Sequence, residues 1–326
     1  MHTLEECCSL IEKHINRLNI GLKAPRNLYE PIEYVLKQGG KRLRPAMTLM
    51  ACNLFSEEVQ QAVMPAVAIE VFHNFTLLHD DVMDKADIRR NQPTVHKKWS
   101  ENAAILSGDA MQVLAYQYIT QSRQDLLPSL LQVFSDTALQ VCEGQQYDMN
   151  FETRSDVSIE EYRHMITLKT AVLLASSLKI GAICGDADKQ NVEALYHFGI
   201  SLGLTFQILD DWLDVYSDPK VFGKATGGDI LTGKKTFLLI TALERADAAT
   251  RSQLTALLNN REIADDVKIT QVKALYDRLD VNRTVQQTID EYYIETMQYL
   301  QKVQIADDSR KEGLKNLAGM LLKREK

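Results

Sequence analysis

The sequence predicts an all-α protein, and three observations support this prediction. Apolar residues recur at steps of three or four, for example at Val67, Val71 and Phe75, which places them on one face of a helix. Proline is missing from the long stretch between Pro128 and Pro219 and from everything after it, so long helices are permitted there. No segment alternates polar and apolar residues convincingly enough to predict a strand.

The periodic pattern predicts helices along most of the chain, with breaks at two glycine-rich segments. Gly39 and Gly40 follow the second helix, and the cluster from Gly223 to Gly233 forms another loop. No Ser/Pro-rich linker, low-complexity tract or short-period repeat divides the chain, so we expect residues 1–326 to form a single domain. The expected helices, with ends accurate to several residues, cover 3–19, 28–38, 43–53, 61–86, 101–122, 126–150, 158–183, 191–217, 233–246, 250–258, 266–280 and 282–324.

The composition is that of an ordinary globular protein, with 45% hydrophobic and 25% charged residues, and it excludes disordered and collagen-like chains. Acidic residues outnumber basic ones by 44 to 37, which gives a formal net charge of −7. That balance argues against a nucleic-acid partner, because neutralising many phosphates needs an excess of positive charge. A smaller phosphate-bearing ligand would have to be bound by local basic clusters.

The cysteines and the apolar segments favour a cytoplasmic protein with no membrane span. The five cysteines, an odd number, include no CxxC pair, which is typical of a reducing compartment. The N-terminus contains Glu5 and Glu6, unlike the basic start of a secretory signal. The most apolar window, Thr170 to Gly185, is interrupted by Lys179 and falls short of the ~18 uninterrupted apolar residues that a membrane span requires.

Two acidic clusters of the form DDxxD follow apolar helical runs. Because residues four apart project from one face of a helix, the first and last aspartate of each cluster form a pair of oxygen ligands. Like charges on one face repel each other, so the repeated pattern favours a bound counter-cation over the alternative, a solvated acidic helix end. The clusters are Asp80, Asp81 and Asp84, and Asp210, Asp211 and Asp214.

Magnesium is the cation that best fits these clusters. It keeps several waters and is typically held by one or two carboxylates together with substrate phosphates. An EF-hand calcium site is disfavoured, because neither cluster has alternating oxygen ligands followed by glycine at the sixth position. The clusters therefore predict Mg²⁺ as the cofactor and a phosphate-bearing substrate.

Basic residues occur near both clusters in the sequence, in loops and at helix starts. Arginine offers forked donors that match phosphate oxygens and stays charged, and a helix start adds backbone N–H groups. Each of these residues alone is more typical of a solvated surface charge, but beside metal-type carboxylates they favour an anionic ligand. They are Lys41, Arg42 and Arg44, then Arg89 and Arg90, then Lys169, Lys224, Lys234 and Lys235.

The ordered set of motifs resembles the trans-isoprenyl diphosphate synthases over nearly the full chain. The resemblance is to the short-chain, farnesyl or geranylgeranyl type. It implies an antiparallel helical bundle whose central cavity is flanked by the two acidic clusters, magnesium as cofactor, and a homodimer. The motifs are Gly39-Gly40-Lys41-Arg42-Leu43-Arg44-Pro45, Asp80-Asp81-Val82-Met83-Asp84, Arg89-Arg90, Lys169-Thr170, Gln207 with Asp210-Asp211-Trp212-Leu213-Asp214, Gly223-Lys224 and Gly233-Lys234.

The resemblance also implies a role for each matching residue. The isopentenyl diphosphate would be bound by Lys41, Arg44, His73 and Arg90. The allylic diphosphate would be held by Arg89, Lys169, Lys224 and Lys234, and reached through magnesium by Asp80, Asp84 and Asp210. Thr170 and Gln207 would lie beside the reacting carbons. From the residues alone, a buried polar residue without a substrate role remains the alternative for His73.

One position departs from the family pattern. The arginine pair is usually followed by glycine, and here the residue is Asn91. Asparagine tolerates the left-handed backbone region better than most residues, so we expect the turn to be kept, with a less secure placement of Arg89 and Arg90.

Residues upstream of the first cluster are candidates for setting product length. A chain growing away from Asp80 along the helix would meet Thr76, Phe75 and Phe72. At 1.5 Å rise per residue, Phe75 lies roughly 7.5 Å from Asp80. In related synthases a large residue at this place goes with short products, which implies C15 to C20 with a lean to C20. The alternative is that Phe75 only packs the core.

The reaction implied by the resemblance is a magnesium-dependent head-to-tail condensation. Isopentenyl diphosphate would join dimethylallyl, geranyl or farnesyl diphosphate, releasing diphosphate. A class I terpene cyclase is one alternative, but it does not need a second diphosphate pocket such as Lys41, Arg44 and His73 would supply. A non-catalytic partner subunit is the other, and the intact acidic clusters disfavour it.

Overall fold

The computed structural model describes residues 2–217 and 226–322, so Lys224 lies outside the described residues. Within those two ranges the chain is helical except for loops, turns and one hairpin of two-residue strands. This confirms the all-α fold class that the periodicity predicts.

The chain folds into two compact units, each assembled from three stretches of sequence. The first unit comprises Met1–Asp136, Ser176–Tyr196 and Val303–Leu314. The second comprises Thr137–Ala175, His197–Lys302 and Lys315–Lys326. The single domain expected from the sequence stays a prediction.

The first helix of the N-terminal half starts at a side-chain cap. In the first helix, the Thr3 hydroxyl and the Glu6 carboxylate form a capping box that satisfies two backbone N–H groups. The elements are α1 Leu4–Arg17, α2 Arg26–Lys37, α3 Leu43–Phe55, α4 Val63–Met83, β1 Ile88–Arg89, β2 Gln92–Pro93, α5 Val95–Lys98, α6 Glu101–Ile119 and α7 Leu127–Glu152.

The elements of the C-terminal half include a π-helical turn at Thr167–Ala171, which interrupts the helix expected over 158–183. A short 3₁₀ turn, Asp308–Lys311, precedes the last helix. The α-helices are α8 Ile159–Ile166, α9 Val172–Cys184, α10 Lys189–Tyr216, α11 Gly228–Thr232, α12 Phe237–Arg245, α13 Ala248–Asn259, α14 Asp265–Arg278, α15 Val281–Lys302 and α16 Glu312–Leu322.

Helix α4 packs against α3 and α6 in the first unit. It is apolar on nearly every face, and side chains such as Val67, Ile69 and Val71 are fully buried, as expected of a helix surrounded by others. Its C-terminal end carries the first acidic cluster, and Asp84 is its C-cap residue. The buried run thus holds the end of the helix, and with it the cluster, in place.

The second unit has its own apolar core, which supports the second acidic cluster. On α10, Ile208, Leu209 and Leu213 are buried next to the aspartates. They belong to one core with Tyr162 and Phe237, so burial fixes how α10 is rotated about its axis and therefore where the cluster points.

The helix expected over 282–324 is wrong, because the chain leaves the helix after Lys302. The side chain of Asn191 replaces the lost helical hydrogen bonds: its Nδ2 donates to Gln304 O at 3.0 Å, and its Oδ1 accepts from Gln304 N at 2.6 Å. A polar partner that lies 113 residues away leaves no trace in the periodicity.

Within the described ranges, three helical stretches are long and apolar enough to cross a membrane on length and composition alone, namely Val59–Met83, Ile159–Cys184 and Lys189–Tyr216. Their most apolar windows are 72%, 72% and 67% buried inside the protein. Burial by protein is what core helices of this composition require, so the fold gives them an apolar environment without lipid. The expectation of no membrane span stays a prediction.

Candidate active site

The first acidic cluster uses its middle aspartate to hold an arginine. Arg89 Nε donates to Asp81 Oδ1 at 2.7 Å, and Arg89 Nη2 lies 3.6 Å from Asp80 Oδ2. Burial raises the pKa of the Asp81 carboxyl, and the positive charge of Arg89 opposes that rise. Since Asp81 is only 6% exposed, the outer pair, Asp80 and Asp84, is the part of the cluster better suited to a ligand.

The arginine pair lies in a tight hairpin that Asn91 completes. Strand β1 pairs with β2 so that Arg89 is opposite Gln92. The two residues of the turn, Arg90 and Asn91, have φ of 52° and 60°. Two consecutive positive φ values are the signature of a type I′ turn, in which asparagine is a favoured residue. The turn expected despite the replacement of glycine is therefore present.

The glycine pair lets the loop before α3 pass close to Arg90. Gly39 and Gly40 have φ of +77° and +138°, a region that side chains strongly disfavour. A Cβ on Gly40 would also lie 3.0 Å from Arg90 Nη2. Arg90 Nη1 donates to the carbonyl oxygen of Gly39, so the loop and the hairpin fix each other.

Arg44 and His73 form a partly buried pair beside other arginines. Arg44 Nη1 donates to His73 Nε2 at 3.2 Å. Burial lowers the pKa of Arg44 to about 10, the charge of Glu70 opposes that fall, and Arg90 adds to it. Burial and the neighbouring arginines lower the pKa of His73 well below its usual value, so the ring is neutral and accepts from Arg44. Arg44 Nε is buried and has no hydrogen-bond partner among the described residues, as expected of a donor meant for an anion.

A carboxylate that the sequence analysis missed organises this basic group. Glu70 is 2% exposed, and its Oε1 accepts from Arg42 Nη1 at 2.5 Å and from Asn74 Nδ2 at 2.9 Å. Arg42 also donates to Glu12 Oε1 at 2.6 Å, which fixes the backbone between the glycine pair and α3. The available signal was a single acidic residue inside the apolar run of α4.

The second acidic cluster uses its middle aspartate differently. The Asp211 carboxylate is 3% exposed and accepts from Tyr162 Oη at 2.5 Å, from Gln207 Nε2 at 3.1 Å and from the backbone N–H of Phe237 at 3.3 Å. These donors oppose the rise in its pKa that burial causes. Asp211 therefore ties α8, α10 and α12 together, and the outer residues of the cluster are again better suited to a ligand.

Lys169 and Thr170 lie in the π-helical turn, where their side chains join the same network. Thr170 Oγ1 donates to Gln207 Oε1 at 3.0 Å, and Lys169 Nζ is 2.5 Å from Asp148 Oδ2. A Cβ on Gly144 of α7 would lie 2.3 Å from the backbone nitrogen of Lys169, so this close approach requires glycine. Single π turns are common at functional sites because they re-aim side chains without breaking a helix.

Asp229 and Lys234 add another pair of opposite charges near the second cluster. Periodicity gave no signal for Asp229, so the sequence analysis did not identify it. The Asp229 backbone N–H donates to Asp214 Oδ2 at 3.0 Å. Burial raises the pKa of Asp229 to about 7, helped by the carboxylates of the cluster and opposed by Lys234. Burial disfavours the charge of Lys234, but Asp229 and Asp211 outweigh it and raise its pKa. This region therefore carries an excess of negative charge.

The donor set of both clusters fits magnesium. Among residues 2–217 and 226–322, no three Asp, Glu, His or Cys side chains converge on a ready-made metal cage. Magnesium does not need one, because it binds through one or two carboxylates, several waters and substrate phosphates. Burial and, after it, the charges of the neighbouring carboxylates raise the pKa of Asp229, and a divalent cation would relieve the repulsion among these carboxylates.

The candidate chain-length residues line one side of α4. Phe72 and Phe75 are 1% and 7% exposed, and their ring centroids are 5.4 Å apart. Thr76 Oγ1 donates to His73 O at 2.8 Å, and this hydrogen bond fixes the orientation of the Thr76 methyl group. The burial of both rings is consistent with either a floor for a growing product or ordinary core packing.

The predicted site residues thus fall into two groups, one in each unit. Lys224 is the exception because it lies outside the described residues. The first group is Lys41, Arg44, Phe72, His73, Phe75, Thr76, Asp80, Asp81, Asp84, Arg89 and Arg90. The second is Lys169, Thr170, Gln207, Asp210, Asp211, Asp214 and Lys234.

Comparisons with known proteins agree with these motifs. Residues 25–277 match the protein family described as Polyprenyl synthetase. The chain is 34% identical over 326 residues to the short chain isoprenyl diphosphate synthase of Methanothermobacter thermautotrophicus, covering 100% of this chain and 98% of that protein. It is 42% identical over 223 residues to the geranylgeranyl diphosphate synthase of Methanosarcina mazei, covering 68% and 69%.

The fold agrees as well. A crystal structure of a geranylgeranyl pyrophosphate synthase aligns with a TM-score of 0.94 at 40% sequence identity, covering 100% of both chains. The resemblance drawn from the motifs is therefore confirmed, and the chain belongs to the polyprenyl synthetase family.

Proposed function

We propose that this protein is a magnesium-dependent trans-prenyltransferase that joins isopentenyl diphosphate head-to-tail to an allylic diphosphate. The observation that carries the proposal is the basic group formed by Arg44, His73 and Arg90. Arg44 Nε is buried and has no hydrogen-bond partner among the described residues. The carboxylate of Glu70 acts electrostatically on Arg44 and Arg90 but is already hydrogen-bonded to Arg42, so the group still lacks negative charge. A second diphosphate supplies that charge, and a chain-elongating enzyme needs such a pocket whereas a terpene cyclase does not.

The residues of the two groups divide the reaction between them. Lys41, Arg44, His73 and Arg90 hold isopentenyl diphosphate, with its double bond within reach of the allylic carbon. The allylic diphosphate contacts Arg89, Lys169 and Lys234, and Lys224 is assigned to it by motif alone. Orienting two substrates in this way supplies much of the rate advantage, because it removes the entropy cost of bringing them together.

Charge neutralisation drives the first bond change. The C–O bond to the allylic diphosphate breaks, and the leaving group's negative charge is stabilised by Lys169, Lys234 and Arg89. Magnesium, when bound to the outer aspartates of the clusters, supplies further electrostatic stabilisation. Thr170 and Gln207, which are hydrogen-bonded to each other at 3.0 Å, lie beside the reacting carbons.

A carbon–carbon bond and a proton transfer complete the cycle. The double bond of isopentenyl diphosphate attacks the allylic carbon, and the released diphosphate accepts the proton that is then lost. His73 is poorly suited to be that base, because its Nε2 accepts from Arg44 and nearby positive charge disfavours its protonation. The apolar surroundings exclude water, which would otherwise quench the cation.

We propose products of C15 to C20, with C20 favoured. Phe75 is nearly buried and packs on Phe72, which suits a rigid floor beneath the first cluster. The relatives described above are named as short chain and geranylgeranyl diphosphate synthases, which supports the same range.

The exposed apolar side chains of α6 support a homodimer. Leu106 is 60% exposed and Val113, two turns further along, is 58% exposed, so they share one helix face. Covering such a face by a second copy would remove apolar surface from water. Equilibrium sedimentation should give twice the chain mass, and Val113→Glu should shift the equilibrium toward monomer.

A cytoplasmic location is also proposed, supported by five free cysteines.

An assay with matched starters tests the proposed function. The purified protein is incubated with magnesium, isopentenyl diphosphate and dimethylallyl, geranyl or farnesyl diphosphate in turn, and the products are separated by length. A synthase gives prenyl diphosphates of C15 to C20. Hydrocarbon formed without isopentenyl diphosphate would instead identify a cyclase, and no product from any starter would identify a non-catalytic subunit.

A further inference from the structure

The ring of Phe75 is held between two other rings on α4. His79 lies one turn toward the first cluster, with a centroid separation of 4.8 Å and an interplanar angle of 69°. On the other side, the Phe72 ring is 5.4 Å away at 56°. The His79 contact is edge-to-face and the Phe72 contact is tilted, and aromatic contacts of these kinds favour one ring position over others. The direction of the Phe75 ring therefore depends on where His79 is held.

His79 is itself fixed from a second helix. Its Nε2 lies 3.1 Å from the carbonyl oxygen of Ile105 on α6, and because a carbonyl only accepts, Nε2 is the donor. The same nitrogen is 3.9 Å from Asp109 Oδ1. These two acceptors lie one turn apart on α6, so the imidazole is held at a defined height along that helix.

The position of the imidazole requires a glycine at one place on α6. A Cβ on Gly108 would lie 2.2 Å from His79 Nε2 and 2.4 Å from its Cδ2. Glycine inside a helix is disfavoured relative to alanine, and here the close approach of His79 accounts for it. Any larger residue at Gly108 would push the imidazole away from the Ile105 carbonyl and from Phe75.

We propose that His79 is a positioning residue that sets product length by holding the Phe75 ring, and that Gly108 and the Ile105 carbonyl provide its seat. The inference rests on the proposed function, since it needs a growing prenyl chain to report the ring position. Removing the imidazole, or displacing it through Gly108, frees the Phe75 ring to rotate away from the chain. Elongation then continues by one further unit in a larger share of turnovers.

Two substitutions on different helices test this inference through one readout. His79→Ala removes the imidazole, and Gly108→Ala displaces it while keeping it in the chain. Gly319→Ala on α16 is the matched control, because its nearest heavy atom would be 4.0 Å from the new Cβ. Each protein receives the same starter and excess isopentenyl diphosphate, and the ratio of the next longer product to the main wild-type product is measured.

Both His79→Ala and Gly108→Ala should raise that ratio by roughly two- to tenfold, the range expected from losing one aromatic pair, and Gly319→Ala should leave it unchanged. Phe75→Ala should raise it further, and adding His79→Ala to Phe75→Ala should have no additional effect. An unchanged ratio in both single variants, or independent effects of His79→Ala and Phe75→Ala, would overturn the inference. Thermal melting of each variant identifies any that fail to fold. If either Gly108→Ala or His79→Ala fails to fold, the other variant still tests the inference. A wild-type protein that forms no prenyl product would instead contradict the proposed function.

Discussion

The two acidic clusters share one sequence pattern but lie in opposite electrostatic surroundings. Beside the first, Arg44 and His73 are partly buried next to other arginines, and burial together with those charges lowers the pKa of both groups. Beside the second, Asp229 is partly buried next to other carboxylates, and burial together with their charges raises its pKa to about 7 against the effect of Lys234. The first region is therefore short of negative charge and the second short of positive charge. A diphosphate suits the first deficit, and divalent cations suit the second.

The middle aspartates show what the clusters have in common. Asp81 pairs with a partly exposed arginine, Arg89, whose side chain is 29% exposed. Asp211 is bound by neutral donors, including the Tyr162 hydroxyl, and is buried. In both clusters the middle residue holds the local structure together, and the outer pair is placed for a ligand. Under the proposed function, the DDxxD pattern therefore combines a structural residue with two ligand residues.

The largest expected effect comes from the outer aspartates. If both clusters bind magnesium, Asp80→Ala and Asp210→Ala should each lower kcat by at least about 100- to 1,000-fold, the usual cost of losing one strong electrostatic stabiliser of a transition state. Steady-state rates at saturating magnesium measure this, with Asp290→Asn at an exposed position of α15 as the control. If Asp210→Ala kept nearly full activity, the two clusters would not contribute equally to catalysis.

The middle aspartates should differ in stability. Asp211→Asn places an amide NH₂ among three donors, which leaves buried groups unsatisfied and should cost about 2–3 kcal/mol of unfolding free energy. Asp81→Asn loses one pairing with a partly exposed arginine and should cost about 1 kcal/mol. Urea unfolding in EDTA compares the two. Equal losses would mean that the two middle residues are held equally tightly.

The basic region should make stability depend on pH. The pKa of folded His73 is depressed, so below the unfolded value of about 6.5 the unfolded chain binds a proton that the folded chain does not. This contribution to stability is present above pH 6.5 and is lost as the pH falls, and the loss between pH 7 and pH 5 is at most about 2 kcal/mol. Urea unfolding at pH 7 and pH 5 gives the loss of unfolding free energy between the two pH values, and His73→Gln should lack the part of that loss that His73 causes. A variant with the full wild-type slope would show that His73 is protonated in the fold.

The smallest expected effect is at the hairpin turn. Asn91→Gly suits the same left-handed backbone at φ 60°, so unfolding free energy should change by less than about 1 kcal/mol. The KM for isopentenyl diphosphate should also stay within about twofold, because Arg90 keeps its place beside Gly39. A large rise in that KM would mean that the asparagine side chain itself positions Arg90.

Sequence reasoning reached the elements whose signals are local or periodic. The apolar spacing of α4 and α10 predicted both helices, and the backbone tolerance of Asn91 predicted its turn. Glu70, Tyr162 and Asp229 were missed because each acts through a partner distant in sequence. Periodicity also does not show the π turn at Thr167–Ala171 or the close approach of Gly144 from another helix to its backbone.

The most direct test of the central claim is the stoichiometry of the reaction. The purified protein is given magnesium, an allylic diphosphate and labelled isopentenyl diphosphate, and inorganic diphosphate and incorporated label are measured together. We predict one diphosphate released for each isopentenyl unit incorporated, with both stopped by EDTA. Diphosphate released without incorporation of the label would contradict the proposed chain elongation.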